Sequence, residues 1–155
     1  MRYHIFLLQT GVASICQNPG MAVTDHPRRS VVAAVDDDQR ILRSLELLLE
    51  SADYDVRLFS SATALLESGG LREIDCLISD IGMPVMGGFE LVRGIQAARP
   101  GLPVILVTGR PELLNRASLD WRCHYRVFKK PFNGQELLTA VGDALRSPHL
   151  PTAGP

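Results

Sequence analysis

Three short runs of this chain are continuously apolar save for the closing Ser79 of the second: VVAAV (31–35), CLIS (76–79) and VILV (104–107). A strand wet on one face alternates apolar and polar residues, so an unbroken run requires cover on both faces. YDVRLF (54–59) and YRVF (125–128) instead interleave apolar and charged residues, which suits strands with one less protected side. Between these runs the period changes to that of a helix. Leu91, Val92, Ile95 and Ala98 fall at i, i+1, i+4 and i+7, and Leu137, Leu138, Val141, Ala144 and Leu145 repeat the pattern. Asn133, three residues before Glu136, resembles a capping box and starts the last helix. Helices alternating with short strands imply parallel pairing through right-handed crossovers. The expected fold is an open α/β sandwich with three central strands and two edge strands.

Each strand points at chemistry. In open parallel sheets the functional groups gather beyond the carboxyl ends of the strands. Asp36 and Asp37 follow the first run, Asp80 the second in LISDIGMP, Thr108 the third in ILVTGR, and Lys130 the last edge strand in FKKPF. Three carboxylates on one rim repel by about 4 kcal/mol per close pair at an effective dielectric near 20. Either their pKa values rise or a divalent cation sits among them. Hard oxygen ligands, few in number and leaving room for water and a phosphate, favour Mg²⁺. Taken singly, each group has a plainer role. DDD before a helix can be an N-terminal charge cap, Asp80 a turn former, Thr108 a strand-end hydroxyl and Lys130 a solvated cation. Their meeting at one rim would then be coincidence.

The motifs VDDD, SDIGMPVMGG, VTG and KKPF, in this order and on these elements, resemble the receiver domain of two-component response regulators. The resemblance covers nearly the whole body between Ser30 and Arg146. It implies a flavodoxin-like doubly wound (βα)5 sandwich with a five-stranded parallel sheet in the order 2-1-3-4-5. It further implies that Asp80 is the phosphoacceptor, and that Asp37, Asp80 and the backbone carbonyl of Gly82 hold Mg²⁺ with Asp36 supporting the metal shell, often through water. Lys130 and Thr108 would hold phosphoryl oxygens, and the Lys130–Pro131 bond would be cis. The implied partner is a sensor histidine kinase or a phosphotransfer protein, with an unassigned downstream protein and a phosphorylation-dependent dimer as further assemblies. Direct DNA binding is not expected.

Two departures from the family stand out. Val127 occupies the position where many receivers carry a Phe or Tyr, and Phe128, one residue later, should face the other way. PELLNRASLDWRCHYR lacks the usual Gly-Ala before the last strand. A binding module that never takes phosphate is therefore the competing class. A metal-dependent aspartyl-phosphate phosphatase would show a second Asp two residues after the nucleophile, where this chain has Gly82. A kinase or nucleotidase would need a Gly-rich phosphate loop, and the chain has none of the G-x-x-x-x-G-K type.

Composition sets the remaining bounds. The chain has 155 residues, 46% of them hydrophobic, enough for one domain with a real core, and its net charge of −1 gives no general attraction to nucleic acid or anionic membrane. Cys16, Cys76 and Cys123 show no metal-type pairing, so free thiols in a reducing, cytoplasmic setting are expected. No stretch approaches the roughly 20 apolar residues of a membrane span. IFLL near the N-terminus is shorter than the roughly 7–15 residues of an export signal. None of His4, His26, His124 and His149 shows ligand spacing. Residues 1–29, with the turn formers QNPG and DHPRRS, read as a flexible extension, and Met21 sits where a shorter product could begin. Residues 147–155 read as a disordered tail, leaving 30–146 as the domain. With only that short tail after the last helix, a stand-alone receiver is expected.

Overall fold

The computed structural model describes residues 27–116 and 124–147. Five parallel strands run β1 (Val31–Val35), β2 (Asp55–Phe59), β3 (Cys76–Asp80), β4 (Val104–Thr108) and β5 (Arg126–Lys129). They pair in the order β2-β1-β3-β4-β5, so the three continuously apolar runs are central and the two interleaved ones are edges, as expected. Helices α1 (Gln39–Glu50), α2 (Ala62–Glu67), α3 (Gly88–Ala98), α4 (Leu113–Arg116) and α5 (Gly134–Arg146) connect them, with a 3₁₀ turn at Gly70–Glu73. The segment expected to carry the unusual PELLNRASLDWRCHYR stretch is described only as far as Arg116 and again from His124. Trp121 and Cys123 lie outside the described residues, as do Cys16, His4, His26 and His149.

Side chains of the central strands alternate between two cores. Val32, Ala34, Ile78, Ile105 and Val107 pack with Leu42, Leu45 and Leu49 of α1 and Leu137, Ala140 and Val141 of α5. Ala33, Val35, Leu77 and Leu106 face the opposite side with Leu65 of α2 and Leu91, Val92 and Ile95 of α3. This is why Ser79 is the only polar residue inside those runs, its buried hydroxyl donating to the carbonyl of Asp80: both faces are dry. Cys76 belongs to the α1/α5 side, and burial pushes its thiol up to about 12, so it is an inert packing group. Asn133 caps α5, its Oδ1 accepting from the N–H groups of Gln135 and Glu136.

The expected start of the body at Ser30 sits just after two anchored residues. Arg28 donates to both oxygens of Asp75 at 2.7 and 2.9 Å, and the same carboxylate accepts from the N–H of Val31 at 2.8 Å. Arg29 pairs with Asp53 at 3.4 Å.

The glycines of the loop between β3 and α3 do not supply its left-handed turn: neither Gly87 nor Gly88 has positive φ; Gly87 is extended at φ −71° and Gly88 is already helical. The left-handed residue is Val85, at φ +68°, with the N–H of Met86 donating to the carbonyl of Pro84 at 2.8 Å. This is a γ-turn of the rare, strained kind, centred on a β-branched residue that is fully exposed at 101% and has no packing to offset the strain. A left-handed conformation costs an ordinary residue about 1–2 kcal/mol, whereas Asn tolerates it. Val85→Asn is therefore expected to raise the stability of the domain by about 1 kcal/mol, read from the midpoint of a urea titration. An unchanged or lower midpoint would show that the turn carries no such strain.

Gly88 is required for space instead. A Cβ there would lie 2.4 Å from the carbonyl oxygen of Asp80 and 2.9 Å from the Cα of Ile81. The first turn of α3 thus packs directly on the backbone that carries Asp80.

Candidate functional site at the carboxyl rim of the sheet

Backbone bonds that continue the ladder past the strand ends fix the rim. The N–H of Asp36 donates to the carbonyl of Phe59 (3.1 Å), that of Ile81 to Val107 (2.9 Å) and that of Lys130 to Thr108 (2.7 Å). Residues far apart in sequence are thereby brought together by the register of four strand pairs. Asp80 and Thr108 are the last residues of β3 and β4, one position further along than the runs alone implied.

The three consecutive carboxylates divide their roles. Asp38 is the N-cap of α1: its Oδ1 accepts from the N–H of Arg40 at 2.9 Å, and its hydrogen-bonded pairing with the Arg40 guanidinium holds its carboxyl down to about 2. The capping role is thus real, but only for the third residue of the run. Asp36 is wholly buried, with Oδ1 accepting from the N–H of Asp38 at 2.9 Å and Oδ2 from Nζ of Lys130 at 2.5 Å. Asp37 is exposed. Carboxylate oxygens of Asp36, Asp37 and Asp80 all lie within 4.8 Å of one another.

Asp80 is the group left unsatisfied. It is 5% exposed, and its Oδ1 is buried with no hydrogen-bond partner; Nζ of Lys130 stands 3.5 Å away, an ion-pair separation. Burial raises its pKa most; Lys130 pulls it back down and the Asp36 charge adds to the rise, leaving it above the ordinary carboxylate range. The pKa of Lys130 is raised as well: burial alone would lower it, but the Asp36 hydrogen bond and the Asp80 and Asp36 charges outweigh it and hold the ammonium protonated. An orphaned oxygen, two neighbouring carboxylates and donors that are all hard oxygens fit a divalent cation. Because both oxygens of Asp36 are already engaged, Asp37 and Asp80 are the freer ligands.

Thr108 is fully buried and follows Val107, which is paired with Asp80. Its hydroxyl oxygen accepts from the N–H of Arg110 at 2.9 Å, which ties the start of the following loop to the rim. The two lysines of KKPF separate by strand alternation: Lys129 is exposed and Lys130 turns inward, 18% exposed. The Lys130–Pro131 peptide is cis, as the resemblance implied.

Phe128 packs in the α1/α5 core, while Val127 faces the other side, as the alternation required. Tyr125, which the sequence reading did not weigh, shares the face of Val127 and lines an open groove with it, Pro111 and Leu114. Arg110 was missed altogether. Its only sequence signal is its place two residues after Thr108, and no spacing rule gives that place meaning before the loop is folded.

A family model described as "response regulator receiver domain" matches residues 32–142. The chain is 32% identical over 136 residues to response regulator protein TmoT of Ectopseudomonas mendocina, covering 83% of this chain and 59% of that protein. It is 35% identical over 129 residues to the DNA-binding transcriptional regulator NtrC of a Bradyrhizobium strain, covering 83% of this chain and 27% of that protein. The chain thus spans less than two thirds of the length of these relatives. Among solved structures, the signal receiver domain of an HD domain-containing protein from Pseudomonas fluorescens is 35% identical with a TM-score of 0.70, covering 79% of this chain and 98% of that one. A CheY-like receiver domain protein from Methanospirillum hungatei is 28% identical with a TM-score of 0.65, covering 77% and 96%.

Proposed function

The chain belongs to the response regulator receiver domain family, and from that premise we propose that Asp80 accepts a phosphoryl group from the phosphohistidine of a sensor kinase or phosphotransfer protein. The single observation that carries this reading is the buried, unpartnered Oδ1 of Asp80 facing the Lys130 ammonium at a rim that gathers three carboxylates. A carboxylate oxygen of Asp80 attacks phosphorus, the P–N bond to the donor imidazole breaks, and the imidazole nitrogen takes back the electron pair. Lys130 holds a phosphoryl oxygen by charge, and the Thr108 hydroxyl, its oxygen still accepting from the N–H of Arg110, donates its hydrogen to another. Asp36 keeps the ammonium of Lys130 aimed between itself and Asp80. Such transfer depends mostly on positioning and on neutralising charge at the equatorial oxygens. Asp37, Asp80 and the carbonyl of Gly82 would hold Mg²⁺, with Asp36 behind them; when bound, the ion neutralises phosphoryl charge and screens the carboxylates from one another.

The receiver unit is taken as residues 30–146, with 1–29 and 147–155 appended to it. The near-neutral chain has no general attraction for a phosphate polymer, in keeping with a protein rather than DNA as its downstream partner. Among the described residues no helix is long and apolar enough to cross a membrane, in keeping with the proposed cytoplasmic setting. The stand-alone form of this reading requires an endogenous product of no more than 17.0 kDa; a larger product on an immunoblot would replace it with a receiver joined to an output module.

Incubating the purified chain with Mg²⁺ and acetyl phosphate and then weighing it tests the reading, with one added phosphate expected. Val127 and its open groove favour the competing module that binds partners without phosphate, and an unchanged mass would select it. For the metal, Asp37→Ala is expected to weaken Mg²⁺ binding at least about tenfold in a calorimetric titration, because a hard cation loses one of few carboxylate ligands. Undiminished affinity would remove Asp37 from the ligand set.

A further inference from the structure

We propose that Arg110 binds the phosphoryl group of the phosphorylated state, its guanidinium closing over the phosphate on Asp80 across the bare backbone of Gly82 and slowing its loss to water. The proposal rests on Asp80 being the acceptor.

Three observations carry it. The point where a Gly82 Cβ would stand is 3.6 Å from Cδ of Arg110, 3.6 Å from Cδ1 of Leu113 and 3.8 Å from Oδ2 of Asp80, so the arginine stem and the acceptor carboxylate both border the space that a side chain at Gly82 would fill. The base of that stem is fixed: the N–H of Arg110 donates to the Thr108 hydroxyl at 2.9 Å, and its carbonyl accepts from the N–H of Leu113 at 3.0 Å. The head is uncommitted, since Arg110 is exposed and no carboxylate among the described residues pairs with it, whereas Lys130 is held by Asp36.

Phosphorylation replaces the single charge of the Asp80 carboxylate with a phosphoryl group of about −1.5 to −2 at neutral pH. One ammonium, already shared with Asp36, faces that increase. A guanidinium offers planar paired donors that match phosphoryl oxygens better than a point charge does. Hydrolysis requires water to attack phosphorus opposite the bond to Asp80. That bond breaks, the carboxylate is restored, and inorganic phosphate leaves carrying the water oxygen. The attacking water comes from the open side of the rim, where Gly82 leaves a gap and Arg110 stands beside it.

The test uses the full chain, labelled with acetyl phosphate and Mg²⁺ and then freed of donor. Arg110→Ala is expected to shorten the half-life of the added phosphate mass about fivefold or more, and to weaken beryllofluoride binding, followed by fluorine NMR, about tenfold, the low end for a charged hydrogen bond. Mg²⁺ affinity should not weaken, since the variant removes a positive charge beside the carboxylates. Arg110→Lys should lie between, keeping the charge and losing the fork. Equal half-life and equal beryllofluoride affinity in Arg110→Ala would overturn the proposal. Failure of the unmodified chain to take phosphate at Asp80 would overturn the acceptor reading beneath it instead.

Discussion

Asp80→Asn is expected to abolish the phosphate mass that acetyl phosphate and Mg²⁺ add to the chain, while making the metal-free protein more resistant to heat. The loss follows from chemistry: an amide oxygen is too weak a nucleophile, and no other carboxylate at the rim shares the orphaned, lysine-facing position of Asp80 Oδ1. The gain follows from linkage. Burial raises the folded-state pKa of Asp80 above its unfolded value, so between those two values the folded chain binds more protons than the unfolded one. Stability therefore falls as pH rises through that window, and at neutral pH the ionised group is a net cost. A neutral isostere removes the cost. Its advantage in melting temperature, measured in chelator, should be full at neutral pH and shrink as the buffer is acidified through the carboxylate range. Full labelling of Asp80→Asn at another carboxylate would show that the nucleophile lies elsewhere, and an advantage that grew on acidification would contradict the linkage.

Replacing Gly88 by Ala is expected to produce the largest loss of stability, although Ala is normally the better helix former by about 1 kcal/mol. The new methyl would meet the Asp80 carbonyl oxygen at 2.4 Å and the Ile81 Cα at 2.9 Å, both of them backbone atoms of β3 and its exit. Neither can rotate away, so α3 must lift. Overpacking of this kind costs about 1–3 kcal/mol or more, on the order of 5–10 °C in melting temperature for a domain of this size. The same displacement moves Asp80, so the rate of phosphate uptake should fall as well. Gly94 supplies the control on the same helix: nothing lies within 4 Å of its Cβ position, and Gly94→Ala should stabilise by about 0.5–1 kcal/mol. Calorimetric scans of the two variants test the pair, and a Gly88→Ala protein as stable as Gly94→Ala would show that the contact is not close in solution.

Much of this molecule is determined by local sequence. The unbroken runs at 31–35, 76–79 and 104–107 can be satisfied only as covered strands, and helical periods between them force parallel crossovers. The division into three central and two edge strands and the face of each residue follow, including Phe128 on the α1/α5 side and Val127 opposite, while the full order 2-1-3-4-5 was implied by the family resemblance. The rim set of Asp36, Asp37, Asp80, Thr108 and Lys130 was legible for the same reason, because a strand's carboxyl end is fixed by where its apolar run stops.

What the sequence left open are matters of distance between atoms remote in the chain. Nothing local distinguishes Asp36, Asp37 and Asp38; the Lys130 ammonium and the Arg40 N–H decide which is buried partner and which is helix cap. Nothing local shows that Gly88 is needed for clearance rather than for a turn, or that the left-handed residue is Val85, because both depend on how closely α3 is drawn onto the end of β3. Arg110 and Gly82 are unremarkable as neighbours of a threonine and an aspartate, and only the pairing of β3 with β4 sets one across from the other. Apolar periodicity is a property of single segments, which sequence carries directly; contact between loops is a property of their packing, which only the folded chain possesses.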